Sequence, residues 1–320
     1  MNLPKSDHFE LKELAAGVYA AQAIPGGAAF SNAGIVDLGN HTIIFDTFET
    51  PRAAEDLRSA AENLTGRPAT WVILSHGHGD HWLGNQVFAG HAALIATHAA
   101  RQLMAAYEPE IEAQRKDPSE YKAWLAAEQE KLEKETDPEK RIALEHSVAR
   151  IQYALEALPG LKPCLPEQTF TGRLVFHGTE RTAELVAPGH AHTPGDCYLA
   201  LAEDGVVLMG DLGFFGREPF VGQGDPQGWV AALDTIQQAG FETFAPGHGP
   251  LGGVDEVTQL REYILALDAW VTQAVKDGLA VEKLLEGPLP EPLGAWSGDR
   301  ILLGTNVQAL YQRKSSANSR

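Results

Sequence analysis

Three histidines and an aspartate crowd together in the segment Ser75-His76-Gly77-His78-Gly79-Asp80-His81. Imidazole nitrogens suit zinc and other borderline metals, and a carboxylate adds a hard, negatively charged oxygen. One tetrahedral ion fits poorly against four side chains of a single tight loop. The spacing therefore favours two metal ions, with His76 and His78 on one and Asp80 and His81 on the other.

Two glycines alternate with these side chains, and we expect Gly77 and Gly79 to adopt backbone angles that other residues avoid, pointing alternate side chains at one centre. The competing interpretation is a polar loop in which Asp80 only caps the next helix. Asp80 can also serve both purposes.

Three later segments add further metal-ligand types. His192 stands before Thr193-Pro194-Gly195-Asp196, and Asp211 follows the apolar run Val207 to Gly210. His248 lies in Ala245-Pro246-Gly247-His248-Gly249-Pro250. His190 is a rival for His192 as the metal ligand of its segment. For Asp211 the alternative is that it caps a turn, and for His248 that it is only a loop histidine.

These segments together resemble the metallo-β-lactamase-fold hydrolases, whose H-x-H-x-D-H signature matches His76 to His81. The later three segments are similar to that family's remaining ligand motifs, in the same order along the chain. The resemblance implies the following ligands: His76, His78 and His192 for the first metal, Asp80, His81 and His248 for the second, and Asp211 bridging both.

The same resemblance implies two zinc ions per chain, with iron or manganese as alternatives. A hydroxide held between the metals would attack a carbonyl carbon, and Asp80 would orient it or take its proton. Cys197 falls inside a predicted strand, and no serine nucleophile motif is present. We therefore predict hydrolysis of a small ester, lactone, thioester or lactam.

Two other classes of function remain open. Some relatives bind iron and act on dioxygen or persulfides, although the diiron flavoprotein branch typically has glutamate where this chain has His78. The third class is a partner-binding protein with a vestigial site. Every expected ligand position is filled, which favours the hydrolase.

Residues near the motifs suggest supporting roles. Asp46 ends an apolar strand and would orient a metal-binding histidine, or else cap a turn. Four aromatic side chains would line an apolar pocket or belong to the core: Trp82, Phe214, Phe215 and Phe220.

The elements that must position these residues alternate between strand and helix patterns. Trp71 to Ser75 is a buried-type strand that ends at the histidine loop, and a short helix follows to about Phe88. Two strand-rich halves, each ending in helices, predict an α/β fold, a four-layer αββα sandwich of two mixed sheets. We treat 1–320 as a single domain and expect its tail, Lys314 to Arg320, to be disordered.

An insertion from about 108 to 158 interrupts this pattern. It is rich in Glu, Lys and Arg, and the apolar spacing predicts a helical hairpin whose second helix starts at Asp137-Pro138. The hairpin is a solvated spacer, a lid over the site or the surface of a homodimer.

The composition narrows the classes of molecule that the chain is expected to bind. The chain has 320 residues and a formal net charge of −18, which disfavours nucleic acid and anionic membranes. No stretch is long and apolar enough for a signal peptide or a membrane span. We expect a cytoplasmic protein that acts on a small-molecule substrate.

Overall fold

The computed structural model describes residues 3–296 and 301–318, which form two β-sheets flanked by helices. The first sheet has seven strands in chain order: β1 (Phe9–Ala15), β2 (Val18–Ala23), β3 (Ala33–Asp37), β4 (Thr42–Phe45), β5 (Trp71–Ile73), β6 (Ala93–Thr97) and β7 (Gln168–Phe170). Strands β1 to β4 pair antiparallel, and β4 to β7 pair parallel. The sheet is therefore mixed.

The second sheet has five strands: β8 (Arg173–His177), β9 (Thr182–Gly189), β10 (Asp196–Leu201), β11 (Val206–Phe214) and β12 (Thr243–His248). They lie in the order β12-β11-β10-β9-β8, and only β11 and β12 pair parallel. Ile43 and Phe45 of the first sheet pack with Leu199 and Leu208 of the second in one buried cluster. The two sheets thus face each other across an apolar core.

Helices cover the outer faces. Outside the first sheet lie α1 (Pro51–Thr65), α2 (Gly79–Trp82) and α3 (His98–Lys116). The start of α1 follows from sequence, because the Thr50 hydroxyl accepts a hydrogen bond from the Ala53 amide and Pro51 occupies the first turn. Its buried stripe, Ala53, Leu57 and Ala61, packs into the core of this layer.

The remaining helices complete the chain: α4 (Ser119–Lys134), α5 (Pro138–Ala157), α6 (Pro226–Gln238), α7 (Val254–Lys276), α8 (Val281–Glu286), α9 (Leu293–Trp296) and α10 (Ile301–Asn318). Helices α6 and α7 pack on the second sheet, and α10 packs on α7 and α8. The predicted four-layer αββα sandwich of two mixed sheets is confirmed. In the described residues no helix has both the length and the apolar character needed to cross a lipid bilayer.

The insertion differs in its boundary from the prediction. Helix α3 continues to Lys116, so the predicted start of the insertion at about 108 falls inside this helix. The hairpin itself is α4 and α5, and the Asp137 side chain caps α5 as predicted by accepting hydrogen bonds from the amides of Glu139 and Lys140. The prediction of a disordered tail is wrong for 314–318, which belong to helix α10. Residues 319–320 lie outside the described part of the chain.

Candidate metal centre

The candidate ligands come from both sheets and meet at one edge of the sandwich. The segment 76–81 follows β5 of the first sheet and includes the start of α2. His192 lies between β9 and β10, Asp211 lies within β11, and His248 is the last residue of β12. Residues more than 100 positions apart in the sequence are therefore brought together by the packing of the two sheets.

The first group of ligand atoms surrounds one point. Nδ1 of His78 lies 3.0 Å from Nε2 of His76 and 3.0 Å from Nε2 of His192. Oδ2 of Asp211 lies 3.6 Å from the His76 nitrogen and 3.3 Å from the His192 nitrogen. The structure thus brings together the four side chains expected at the first metal.

The second group shares Asp211 through its other oxygen. Oδ1 of Asp211 lies 3.0 Å from Nε2 of His81 and 3.5 Å from Nε2 of His248. Oδ2 of Asp80 lies 3.1 Å from the His248 nitrogen and 3.5 Å from the His81 nitrogen. Each oxygen of Asp211 therefore faces a different ligand group, which is the arrangement of a bridging carboxylate.

These spacings fit metal ions. Ligands about 2.0–2.1 Å from a tetrahedral zinc stand about 3.3 Å apart, within the range of 3.0–3.6 Å seen in both groups. Nε2 of His81 and Oδ1 of Asp211 are buried and make no hydrogen bond of normal geometry. Buried polar atoms left unpaired are costly, so a cation between them would remove that cost.

Hydrogen bonds at the outer nitrogens of three imidazoles fix the orientation of these rings. Nδ1 of His81 donates to Oδ2 of Asp46, at 2.8 Å, and the Ser75 hydroxyl donates to the same carboxylate oxygen and accepts from Nδ1 of His76. Nδ1 of His192 donates to the carbonyl of Phe220. These bonds leave the inner nitrogens as lone pairs that face the ligand groups.

The other two histidines, His78 and His248, are oriented by different contacts. Nε2 of His78 lies 3.2 Å from Oε1 of Gln223, which orients the ring with Nδ1 facing inward. Nδ1 of His248 is buried and has no hydrogen-bond partner among the described residues. His248 is held by ring packing instead, stacked on Phe214 with centroids 5.1 Å apart.

The electrostatics prepare the site for cations. Burial lowers the pKa of His78 to about 4, and burial with the charge of His81 holds the pKa of His76 well below its usual value. Burial would raise the pKa of the Asp211 carboxyl, but His248 and His81 hold it well below its ordinary range. His76 and His78 are thus neutral and Asp211 is ionised, as metal binding requires. Asp211 and Asp80 outweigh burial and raise the pKa of His81 and His248, so a metal ion would have to displace a proton from each of these two imidazoles.

The glycines in the motifs provide space. Neither Gly77 nor Gly79 has a positive φ, so the prediction that these two glycines adopt unusual backbone angles is wrong. A Cβ on Gly77 would lie 2.6 Å from Cβ of Leu103 on α3, and a Cβ on Gly247 would lie 2.1 Å from Oδ1 of Asp211. Both positions need glycine because neighbouring groups approach too closely for a side chain.

A cavity of about 550 Å³ opens onto the ligands. Its walls come partly from the histidine loop and β11 and partly from the insertion side of the molecule, through Tyr107, Tyr121 and Arg150. The hairpin therefore forms part of the wall of the site. Of the four aromatic candidates, Phe214 and Phe220 line the cavity, whereas Trp82 and Phe215 are buried in the core.

Sequence reasoning placed some residues correctly and missed others. Asp46 orients His81 as expected, and the ligand group contains His192, while His190 is exposed and bonds to the carbonyl of Gln223. The ion pair between Glu49 and Arg150, in which both guanidinium nitrogens reach the carboxylate at 3.0 and 2.9 Å, was missed. No local pattern marks two residues separated by so long a stretch of chain.

Comparison with known proteins points to one family. The model of the metallo-β-lactamase superfamily matches residues 26–248, which is more than half of the chain. No match is found among curated proteins.

Solved structures of the same fold are similar at low sequence identity. A metallo-β-lactamase from Pontibacter korlensis is 15% identical, with a TM-score of 0.57, covering 80% of this chain and 99% of that one. One from Erythrobacter litoralis, with β-mercaptoethanol in its active site, is 18% identical, with a TM-score of 0.56 and coverage of 82% and 99%. FIM-1 from Pseudomonas aeruginosa, in its mono-zinc form, is 18% identical, with a TM-score of 0.52 and coverage of 81% and 97%. These likenesses show the fold.

Proposed function

This chain belongs to the metallo-β-lactamase superfamily, and on that premise we propose that it is a dinuclear metal-dependent hydrolase of small carbonyl compounds: esters, lactones, thioesters or lactams. The observation that carries the proposal is the position of Asp211. Its two oxygens face two separate groups of ligand atoms, which fits a carboxylate shared by two ions. Five imidazoles and two carboxylates suit zinc, which we propose as the metal.

The ligand assignment follows the two groups. We propose that His76, His78 and His192 hold one ion, that Asp80, His81 and His248 hold the other, and that Asp211 bridges them. Two such ions would supply Lewis acidity for the substrate carbonyl and lower the pKa of an attacking water.

The chain's own residues complete the site. Burial opposes ionisation of Asp80, but the charges of His81 and His248 outweigh it and keep the pKa of its carboxyl below the ordinary value. Asp80 lines the cavity, so its carboxylate is placed to orient the attacking water or to accept its proton. Phe214 and Phe220 exclude water from one side of the cavity and favour a substrate with apolar character.

The first test is metal content together with hydrolysis. Protein purified without added metal should contain about two zinc ions per chain by mass spectrometry, and chelation should abolish cleavage of a panel of lactones, thioesters and lactams. Full activity after complete removal of metal would exclude the proposal. Iron in place of zinc would exclude the zinc assignment and favour redox chemistry.

The second test separates Asp80 from the fold. Asp80→Asn should retain its circular dichroism spectrum yet hydrolyse at least about 100-fold more slowly, because a ligand and a proton acceptor are lost. Asp277→Asn, on an exposed residue outside the cavity, is the matched control and should behave like the wild type. Full activity of Asp80→Asn would contradict the role given to Asp80.

We also propose a small-molecule substrate, no nucleic-acid or membrane partner, and a cytoplasmic location, in line with the charge of −18. A homodimer through the hairpin remains a proposal as well. Its support is the exposure of two large apolar side chains there, Trp124 at 42% and Ile142 at 52%.

A further inference from the structure

The loop 219–223, which lies between β11 and α6, contacts two histidines of the first ligand group. The carbonyl of Phe220 accepts a hydrogen bond from Nδ1 of His192 at 2.9 Å, and Oε1 of Gln223 lies 3.2 Å from Nε2 of His78. Each contact is made at the ring nitrogen that faces away from the ligand group. The position of this loop therefore decides which nitrogen of each ring faces inward.

The same loop packs on the chain segment that carries His192. The amide of Asp225, just after the loop, donates to the carbonyl of Ala191 at 2.7 Å. A Cβ on Gly224 would lie 2.5 Å from that carbonyl oxygen and 3.0 Å from the carbonyl oxygen of His192. Because the two backbones are this close, a displacement of the loop would displace the ligand.

Asn306 of helix α10 holds the loop from its other side. This side chain is fully buried. Its Nδ2 donates to the carbonyl of Pro219 at 2.8 Å, and its Oδ1 accepts from the amide of Val221 at 2.7 Å. The two hydrogen bonds lie on either side of Phe220. Asn306 uses a donor and an acceptor together, and it thereby fixes the backbone that presents the Phe220 carbonyl.

A second side chain of α10 contacts the far end of the loop. The guanidinium of Arg313 donates to the carbonyls of Gly222 and Val221, at 3.0 and 3.3 Å. Gly222 directly precedes Gln223, the residue that contacts His78. Between them, the two α10 side chains bond to every loop residue that does not bond to a histidine of the ligand group.

Helix α10 gives these two side chains a fixed base. Leu303, Val307 and Leu310 are buried in the core of this half of the molecule. Nζ of Lys314 lies 2.7 Å from Oδ1 of Asp268 on α7, which adds a polar attachment. The helix lies beyond residues 26–248, the part of the chain that the superfamily model matches.

We propose that Asn306 and Arg313 are positioning residues for the first metal ion. Helix α10 holds the 219–223 loop, and the loop orients His78 and His192 toward that ion. The inference deepens the proposed function and rests on its assignment of the first ligand group. The second group is oriented by other residues, since His81 bonds to Asp46 and His248 stacks on Phe214. The effect should therefore fall on one ion of the two.

Two single-ion backgrounds separate the ions. His248→Ala leaves the four proposed ligands of the first ion complete, and His78→Ala leaves those of the second. In the first background Asn306→Ala should weaken zinc binding about tenfold, the low end of the loss when a group that orients a metal ligand is removed. In the second background zinc affinity should not change. Competition with a chromophoric chelator measures both. Equal losses in the two backgrounds, or no loss in the first, would overturn the proposal.

Further variants of α10 separate positioning from stability. Arg313 is exposed, so Arg313→Met should fold normally and bind the first ion about threefold more weakly, whereas Arg313→Lys should retain part of the affinity. Val307→Ala is the matched control, because it opens a cavity next to Asn306 without removing a bond to the loop. It should lower the free energy of unfolding and keep wild-type zinc affinity. An equal loss of zinc affinity in Val307→Ala would overturn the proposal.

Amide hydrogen exchange tests the contact without metal or substrate. In metal-free protein the Val221 amide should exchange about tenfold faster in Asn306→Ala than in Val307→Ala, because only the first variant removes its acceptor. Unchanged exchange in Asn306→Ala would overturn the role of α10, whatever compound the enzyme cleaves. If exchange and zinc affinity change as expected but no carbonyl compound is hydrolysed, the proposed function fails and the positioning role stands.

Discussion

Asp46 is the single side chain on which the orientation of two metal-facing imidazoles depends. It is buried, and it accepts hydrogen bonds from the Ser75 amide, the Ser75 hydroxyl and Nδ1 of His81. Its φ of 63° places it in the left-handed region, a conformation that costs a non-glycine residue about 1–3 kcal/mol. Strain at a residue with this role is consistent with a functional constraint.

We expect Asp46→Asn to weaken metal binding by about 10–100-fold. An amide NH₂ facing His81 would favour the imidazole tautomer with its proton on Nε2, the nitrogen that faces Asp211. That nitrogen would then lack the lone pair a metal needs. Competition with a chromophoric chelator measures the affinity, and Asp56→Asn, on α1, is the control. Wild-type affinity in Asp46→Asn would contradict this role.

Asp196 holds the loop that carries His192. Its carboxyl accepts hydrogen bonds from the amide and the hydroxyl of Thr193, and burial raises its pKa to about 6. Because the folded-state pKa lies above the usual 3.8, the protonated form favours folding. This contribution to stability is fully present below about pH 4 and is lost as the pH rises through about 6.

Asp196→Asn stays neutral and should not lose that contribution. The free energy of unfolding of the wild type, minus that of Asp196→Asn, should therefore fall by roughly 2.5 kcal/mol between pH 4 and pH 7. Urea titrations of both proteins in chelator, at one-unit pH intervals, measure the difference without metal release. A difference that does not change with pH would show that burial leaves the Asp196 pKa unshifted.

At this scale the sequence predicted the residues that a local motif marks. Spacing alone marked the segment from His76 to His81, and the family resemblance implied the other three residues. The structure brings the side chains of all seven together in two adjoining groups. The contacts that orient them were harder to predict. Gln223 and Phe220, which bond to the outer nitrogens of His78 and His192, lie in a loop with no marked pattern.

Among the elements, the helical hairpin contributes most to what is particular about the site. Helix α5 is joined to the segment after β4 by the Glu49–Arg150 ion pair, and Arg150 also packs on Phe30. These side chains line the metal-centre cavity. Of the three interpretations of the insertion, the spacer, the lid over the site and the dimer surface, these contacts favour the lid.

A double-mutant cycle on Glu49→Gln and Arg150→Met measures how strongly the hairpin is attached. Both side chains are mostly buried, at 13% and 29% exposure, so we expect a coupling of about 1–2 kcal/mol in the free energy of unfolding. The surface pair Glu112 and Arg115, with side chains 48% and 34% exposed, is the control and should couple by about 0.5 kcal/mol or less. Equal coupling in the two pairs would show that Arg150 does not anchor the hairpin.

The extents of individual elements were predicted where local signals mark their ends. Asp137-Pro138 predicted the start of α5, where the aspartate side chain caps the helix and proline occupies its first turn. The end of α3 was missed because the chain becomes rich in Glu, Lys and Arg from about 108, yet the helix continues through this stretch to Lys116. The last turns of α10, from Lys314 on, were predicted as a disordered tail because their residues are polar and lie near the terminus. The helix to which they belong is held by Leu303, Val307 and Leu310, which are buried against the helices of the second sheet.

At the scale of the whole molecule, the candidate metal centre lies where the two halves of the fold meet. His76 and His81 follow the first sheet, whereas Asp211 and His248 belong to the second. The strand and helix pattern predicted the layers, since each half buries one sheet face against the other. It did not predict the cavity of about 450 Å³ that lies between α5 of the insertion, the turn between β2 and β3, and the Gly249-Pro250 turn after β12.

Because the ligands join both sheets, bound metal should stabilise the whole fold. Binding at a concentration 1,000-fold above Kd adds about 4 kcal/mol. A large domain gains about 2–4 °C in Tm per kcal/mol, so chelation should lower the Tm by roughly 10 °C. Scanning calorimetry with and without EDTA measures this shift.

Asp211→Asn provides the matched comparison, because Asp211 contributes to both ligand groups. Its Tm should respond much less to the chelator than that of the wild type, since little metal is bound before EDTA is added. A control in which zinc is restored after EDTA should return the wild type, but not the variant, to the higher Tm. If the wild-type Tm does not respond to chelator or zinc, the cluster does not hold a metal that links the two sheets.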